Sequence, residues 1–395
     1  MEISSGIVLR NGHVIDPSQG IHAVLDVAIR DGLIAAIGES LPQPPSCIDR
    51  DVHGKFVCPG LVDLHGHWYE GSAYGINPDL CLNHGVTTVA DAGTTGFVNF
   101  EEFRRHCIET SRIQTLAFVN IAATGIPTTL VGELEDLRYA RPEETAAVLE
   151  AHPSITLGVK IREGSMTGSH GLEALTLALE AAENVALMVH ISRGANTPAI
   201  LKKLRPGDIL THCFQGRGDG LFSGGSSIPE ALEARKSGVL FDVGHGCGSF
   251  HWDTAKRAFE YFFLPDTIST DLHRFSVERW AMDLPSVMSK FLHLGMSLEN
   301  VILKSTWAPA KAIGRGQQLG TLRPGTVADA FVFDLEEGEF PLEDTHLKVE
   351  IASRRIKPCF VIRAGEIIEP TTHHASLRRM YACDQDVLRF IEQTA

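Results

Sequence analysis

The 395-residue chain has no Cys-x-x-Cys pair and no run of closely spaced cysteines. Its eight cysteines are scattered, which excludes a dense disulfide framework and reads as reduced thiols of a cytoplasmic protein. Basic residues are also short: 35 Lys and Arg stand against 49 Asp and Glu, for a net charge of −14. That balance argues against a nucleic-acid or anionic-membrane partner, since both favour a basic face. No apolar run approaches the roughly 20 residues of a membrane helix. The opening MEISSGIVLR lacks the basic-then-apolar pattern of a secretory leader. There is no low-complexity segment and no clean repeat. What remains, 44% hydrophobic and 21% charged, is the composition of a soluble globular protein, long enough for a large barrel with an accessory domain.

Both chain ends read as short strands. GIVLRNGHVID, LDVAIRDGLIAAIG and KFVCPGLVDLH are rich in β-branched residues and carry the turn pairs Asn11-Gly12 and Asp31-Gly32. LGTLRPGTVADAFVFDL and KPCFVIRAGEII repeat that character near the other end. The expectation is one small β-sandwich domain built from residues 1–58 and 315–370, with a (β/α)8 TIM-like barrel inserted at 59–314. A helical tail at 371–395 follows, from the apolar spacing of ASLRRMYACDQDVLRFIEQ. The barrel rests on eight near-continuous apolar segments: 61–67, 86–93, 113–122, 156–162, 186–192, 208–214, 238–246 and 267–271. Helix-like runs such as PEETAAVLEAH and GLEALTLALEAAE alternate with them, an α/β pattern.

The ends of these segments carry unusual chemistry. LVDLHGH finishes in His65 and His67, which share one strand face. TLGVKIR holds Lys160; ALMVHIS, His190; DILTHCF, His212; and TISTD, Asp271. Singly, each has a plainer reading as a satisfied strand-end residue, and Asp271 could cap a helix. Jointly they place six metal-competent groups at one barrel mouth. Lys160 is costly to bury charged, so burial favours its neutral amine. A neutral amine can add carbon dioxide to form an anionic carbamate able to bridge two cations. The alternative is a lysine paired with Asp271 or reaching outward.

With these residues in view, the chain resembles the binuclear metallo-dependent hydrolases of the amidohydrolase superfamily, in the amidohydrolase/deacetylase branch. PGLVDLHGH, GVTTVADAG, GVKIR, MVHIS, LTHCF, DVGHGCGSF, TISTD and LGTLRPGTVADAFVFD carry the resemblance across most of the chain. It implies two divalent ions, with zinc expected. His65, His67 and Asp271 would hold the more buried ion and His190 and His212 the more exposed one, bridged by a carbamate on Lys160. It also implies Asp271 as general acid/base, a small-molecule amide or ester substrate with loss of an acetyl group, and a homo-oligomer.

Candidate substrate-binding residues are His245 among the glycines of DVGHGCGSF, Arg162 on the Lys160 strand face, Asn120 at the third strand end, Arg193 and His273. Arg217 and Arg274 also follow strand ends. Loops 124–133, 163–171 and 214–227 are long enough to cover the mouth. Cyclic-amide hydrolysis is the first rival. Dihydroorotases, however, usually carry an Arg shortly after HxH, where this chain has Trp68, Tyr69 and Glu70. Deaminases of the superfamily mostly lack the bridging lysine, and D-aminoacylases commonly use a cysteine ligand. A non-catalytic scaffold would be expected to have lost its ligands, and every ligand position here is filled.

Overall fold

Two left-handed residues explain the hairpin between the second and third strands. Asp31 (φ 54°) and Gly32 (φ 73°) form a two-residue loop with both positions at positive φ, the turn whose twist suits a hairpin. It joins β2 (Ile21–Arg30) to β3 (Leu33–Gly38), with Arg30 opposite Leu33. The expected second turn at Asn11-Gly12 is instead a bulge inside β1 (Ile7–Asp16). Asn11 sits at φ 57° and its N–H donates to Asp26 Oδ1 at 3.0 Å, so the chain kinks without reversing.

This computed structural model describes residues 6–42, 47–128, 131–164, 167, 170, 172–216, 220–222 and 227–370. The expected tail at 371–395 and Arg217 lie outside the described residues, as do parts of the three mouth loops.

Both chain ends meet in one eight-stranded sheet. β4 (Ile48–Asp51) and β5 (Phe56–Pro59) pair in parallel with β1, and β5 then pairs antiparallel with β13 (Ala330–Glu343). β14 (Val349–Arg363) and β15 (Glu366–Ile368) extend the same sheet. Inward residues of both ends, including Leu9, Val14, Val27, Val332 and Ile362, form a hydrophobic cluster of their own.

The middle of the chain curls into a second, parallel sheet. Its strands are β6 (Leu61–Gly66), β7 (Val86–Gly96), β8 (Gln114–Asn120), β9 (Thr156–Glu163), β10 (Ala186–Ile191), β11 (Ile209–Thr211) and β12 (Leu240–Phe241), neighbouring one another in chain order. β6 and β7 are buried at every position, as strands covered on both faces must be. The expected eighth strand at 267–271 is not a regular strand. Single parallel bridges, Asp242 to Thr267 and Gly66 to Leu272, tie it to both free edges, so it closes the curl between β12 and β6. Its irregularity follows from Asp271, whose φ of 48° breaks the extended backbone.

Helices Pro142–Ala151 and Leu172–Ala181 fall within PEETAAVLEAH and GLEALTLALEAAE, and Pro229–Ser237 and Trp252–Glu260 are further helices of the same region. NPDLCLNHG forms only a 3-10 turn, Pro78–His84. Among the described residues no helix is long and apolar enough to cross a membrane, and the seven cysteines are free thiols.

Candidate metal centre

Parallel strands put their C-terminal ends on one face, and the titratable residues of the sequence pattern collect there. His65, His212 and Asp271 each offer one ligand atom, and those atoms lie within 4.8 Å of one another. His67 Nε2 is 3.1 Å and His65 Nε2 3.4 Å from Asp271 Oδ1. Lys160, fully buried on β9, brings Nζ to 3.5 Å from His65 Nε2. His190 Nδ1 lies 2.7 Å from His212 Nε2. All six residues thus share one mouth.

Protonation sharpens this picture. Burial drops His67 to about 3 and His212 to about 4, so both rings are neutral near pH 7. Each has its Nδ1 engaged: His67 with Thr94 Oγ1 at 2.8 Å, His212 with the Gly244 carbonyl at 2.7 Å. The carbonyl can only accept, so His212 carries its proton on Nδ1 and turns a bare Nε2 into the mouth. His67 turns its Nε2 toward a carboxylate oxygen. Lone pairs facing each other at such distances repel unless a cation lies between them, so this donor set fits a divalent metal. Burial also draws the Lys160 amine down to about 7, which makes the neutral form accessible.

Glycines make the close approach possible. A Cβ on Gly93 (φ 74°) would sit 2.5 Å from Lys160 Cβ. One on Gly246 (φ 51°) would sit 2.3 Å from Asp271 Oδ2, and one on Gly244 2.3 Å from Thr211 Oγ1. The Gly-rich DVGHGCGSF segment therefore makes room for the protein's own site residues, where the sequence pointed to a ligand. Asp271 and His212 both hold positive φ, 48° and 66°, a strain that tightly packed surroundings sustain.

The cleft above the centre holds about 750 Å³ of empty space, open to solvent, and Lys160, His190, Asp271, Arg162 and His273 line it with His67. The Nε and Nη2 of Arg162 donate to Glu133, each at 2.6 Å, and its guanidinium lies against Tyr74. His273 Nδ1 accepts the Phe275 N–H at 3.1 Å, so its neutral ring keeps a proton on Nε2 to donate. Four candidate substrate residues do not line the cleft. Asn120 spends its amide on backbone, donating to Gly93 O and accepting from Ala122 N, both at 2.9 Å. Arg193 is exposed beyond the strand end. Arg274 is absent from the lining as well.

His245 is the fourth. It is fully buried, stacked on Phe250, and its Nε2 accepts from Lys290 Nζ at 2.6 Å. Lys290, on helix Leu284–His293, also donates to Trp280 O at 2.9 Å and Glu343 O at 2.6 Å. One ammonium thus joins the 244–250 loop, the 276–282 loop and the β13 end. Replacing Lys290 with Met leaves three buried acceptors without a donor and is expected to cost about 2–4 kcal/mol. Urea denaturation of the two proteins checks this; an unchanged midpoint refutes it. Lys290, Tyr74 and Glu133 carried little signal in the sequence, because none lies at the end of a recognisable strand.

Comparison with known proteins agrees with this geometry. The amidohydrolase family model matches residues 249–368. A protein of Brucella anthropi called a deacetylase is 34% identical over 373 residues, 91% of each chain. A deacetylase of Enterococcus faecalis is 30% identical, covering 92% of this chain and 99% of its own. Among solved structures, one described as a dihydroorotase superposes with a TM-score of 0.86 at 32% identity, over 93% of this chain and 98% of that one. One described as an adenine deaminase gives 0.85 at 30% identity, over 92% and 99%. A buried His-His-Asp cluster on this fold, with relatives matched nearly end to end, makes the chain a member of the amidohydrolase family and a metal-dependent hydrolytic enzyme.

Proposed function

We propose that the protein is a binuclear deacetylase that cleaves an amide or ester of a small molecule. The observation that carries this reading is the convergence of His65, His212 and Asp271 within 4.8 Å, with Lys160, His67 and His190 around them. His65, His67 and Asp271 would hold one ion, and His190 and His212 the other. Lys160, as its carbamate, would serve both. Zinc suits a His/Asp donor set. When bound, such ions lower the pKa of water and polarise a carbonyl.

The chain's own groups do the rest. Asp271 takes the proton from the attacking water and passes it to the leaving amine or alkoxide. His273 offers its Nε2–H to a substrate oxygen in the cleft. Arg162, fixed by Glu133, leaves Nη1 as the part of its fork not committed to that carboxylate and holds Tyr74 as a flat wall. The acetyl preference draws its support from the relatives called deacetylases. The division into a barrel at 59–314 and a β-sandwich from 1–58 and 315–370 belongs to the same reading, as do a cytoplasmic location and a homo-oligomeric state.

A cyclic-amide hydrolase is the second reading, favoured by the likeness to the structure described as a dihydroorotase. Acetate release separates the two. Zinc-loaded protein, offered N-acetyl amino acids and O-acetyl hydroxy acids, is expected to release acetate with kcat/KM above about 10³ M⁻¹s⁻¹, somewhat below the usual enzyme range. Metal-stripped protein is expected to release none. Silence across the panel from fully loaded protein moves the assignment to cyclic amides.

A further inference from the structure

Two relays of the same composition stand behind the HxH pair. Behind His67, Thr94 Oγ1 donates to Asp91 Oδ2 at 2.7 Å and lies 2.8 Å from His67 Nδ1. Behind His65, Thr211 Oγ1 donates to Asp242 Oδ2 at 2.7 Å and lies 2.9 Å from His65 Nδ1. A threonine hydroxyl has one proton. In both relays that proton goes to the carboxylate, so the oxygen can only accept from the ring. Each imidazole must therefore carry its proton on Nδ1, leaving Nε2 bare and aimed into the mouth.

Each aspartate is surrounded by further donors. Asp91 also receives the N–H of Trp68 at 2.8 Å and of Thr94 at 2.7 Å. Asp242 also receives the hydroxyls of Thr267 at 2.6 Å and Ser269 at 2.7 Å. All four relay residues are buried, and none is adjacent in sequence to the histidine it serves. His212 has no such relay; a backbone carbonyl fixes its Nδ1.

We infer that Asp91–Thr94 and Asp242–Thr211 are twin positioning relays that fix the tautomer of His67 and His65 and strengthen the hold of these two rings on the metal they share. The inference rests on the reading of His65 and His67 as ligands through Nε2. A carboxylate behind a ligand ring, even through a hydroxyl, raises its basicity, and losing such a partner commonly costs 10- to 100-fold in affinity. The His65/His67 ion should accordingly be the tighter of the two.

The test is zinc release from loaded protein to chelators of graded strength, with nitrogen-15 NMR of the ring nitrogens. Thr94→Val and Thr211→Val should each weaken the tighter ion by about 10- to 100-fold. Thr94→Ser and Thr211→Ser, which keep the hydroxyl, should restore it to within about threefold. The parent should show protonated Nδ1 on both rings, with the signal shifted in the valine variants. Valine variants that fold and release the tighter ion as the parent does overturn the inference alone. So does a parent ring protonated at Nε2, a measurement that needs no valine variant to fold. A parent that takes up no zinc overturns the ligand reading itself.

Discussion

Asp271→Asn is expected to lower kcat by about 10³-fold while the protein keeps its fold and its metal. Asparagine preserves the shape that Gly246 accommodates and an oxygen for the His67 side of the site. It cannot accept a proton from water and pass it on. General acid–base transfer contributes about 10²–10⁴ in rate, and among the described residues no second carboxylate lines the cleft to take over. The buried carboxylates behind His67 and His65, Asp91 and Asp242, are occupied by threonine hydroxyls. The measurement is steady-state turnover of acetylated substrate alongside metal content per chain. Retained metal with turnover within tenfold of the parent would remove Asp271 from the proton path.

Lys160→Ala is expected to be at least as damaging, through the metal. The side chain sits at the centre of the curled sheet, on the strand between β8 and β10, with Nζ facing His65. As a bare ammonium it would repel cations. As a carbamate, formed when the neutral amine adds carbon dioxide and loses a proton, it supplies a bridging anion. Truncation should lower metal content below that of the parent and cut turnover by about 10² to 10³ or more, since loss of one preorganised electrostatic contact alone reaches that scale. Added propionate, which can enter the space left behind, should restore part of both. Lys160→Arg keeps a cation that cannot be carboxylated and should stay inactive with or without propionate. An alanine variant with full metal content and near-parental turnover would reduce Lys160 to a packing residue.

These expectations divide by origin. The HxH pair, Lys160, His190, His212 and Asp271 were legible because strand periodicity and strand ends are local properties. An apolar run shows where a strand lies, and its final residues show what the barrel mouth receives. Asp31-Gly32 was legible as a turn for the same reason, since two positive φ values fit few other residue pairs. Asn11-Gly12 misled because the same left-handed geometry serves a bulge as readily as a turn, and only the Asp26 partner from β2 decides between them.

The substrate residues were harder. Asn120 is the last residue of β8, and Arg193 and His245 lie past strand ends, where a side chain has no fixed direction. Asn120 turned to backbone, Arg193 to solvent and His245 to Lys290. Arg162 and His273 reached the cleft, and Arg162 did so with a partner, Glu133, contributed by a loop 29 positions away.

By itself the sequence determined the metal-binding character of this protein, because the donors sit at strand termini and the barrel topology brings all strand termini to one face. Only the tertiary structure decided which groups hold those donors still. Thr211 and Asp242 stand 146 and 177 positions from His65, and no periodicity reaches across such distances. A hydrogen-bond relay depends on ångström-scale placement of side chains from different strands, which exists only once the sheet has closed.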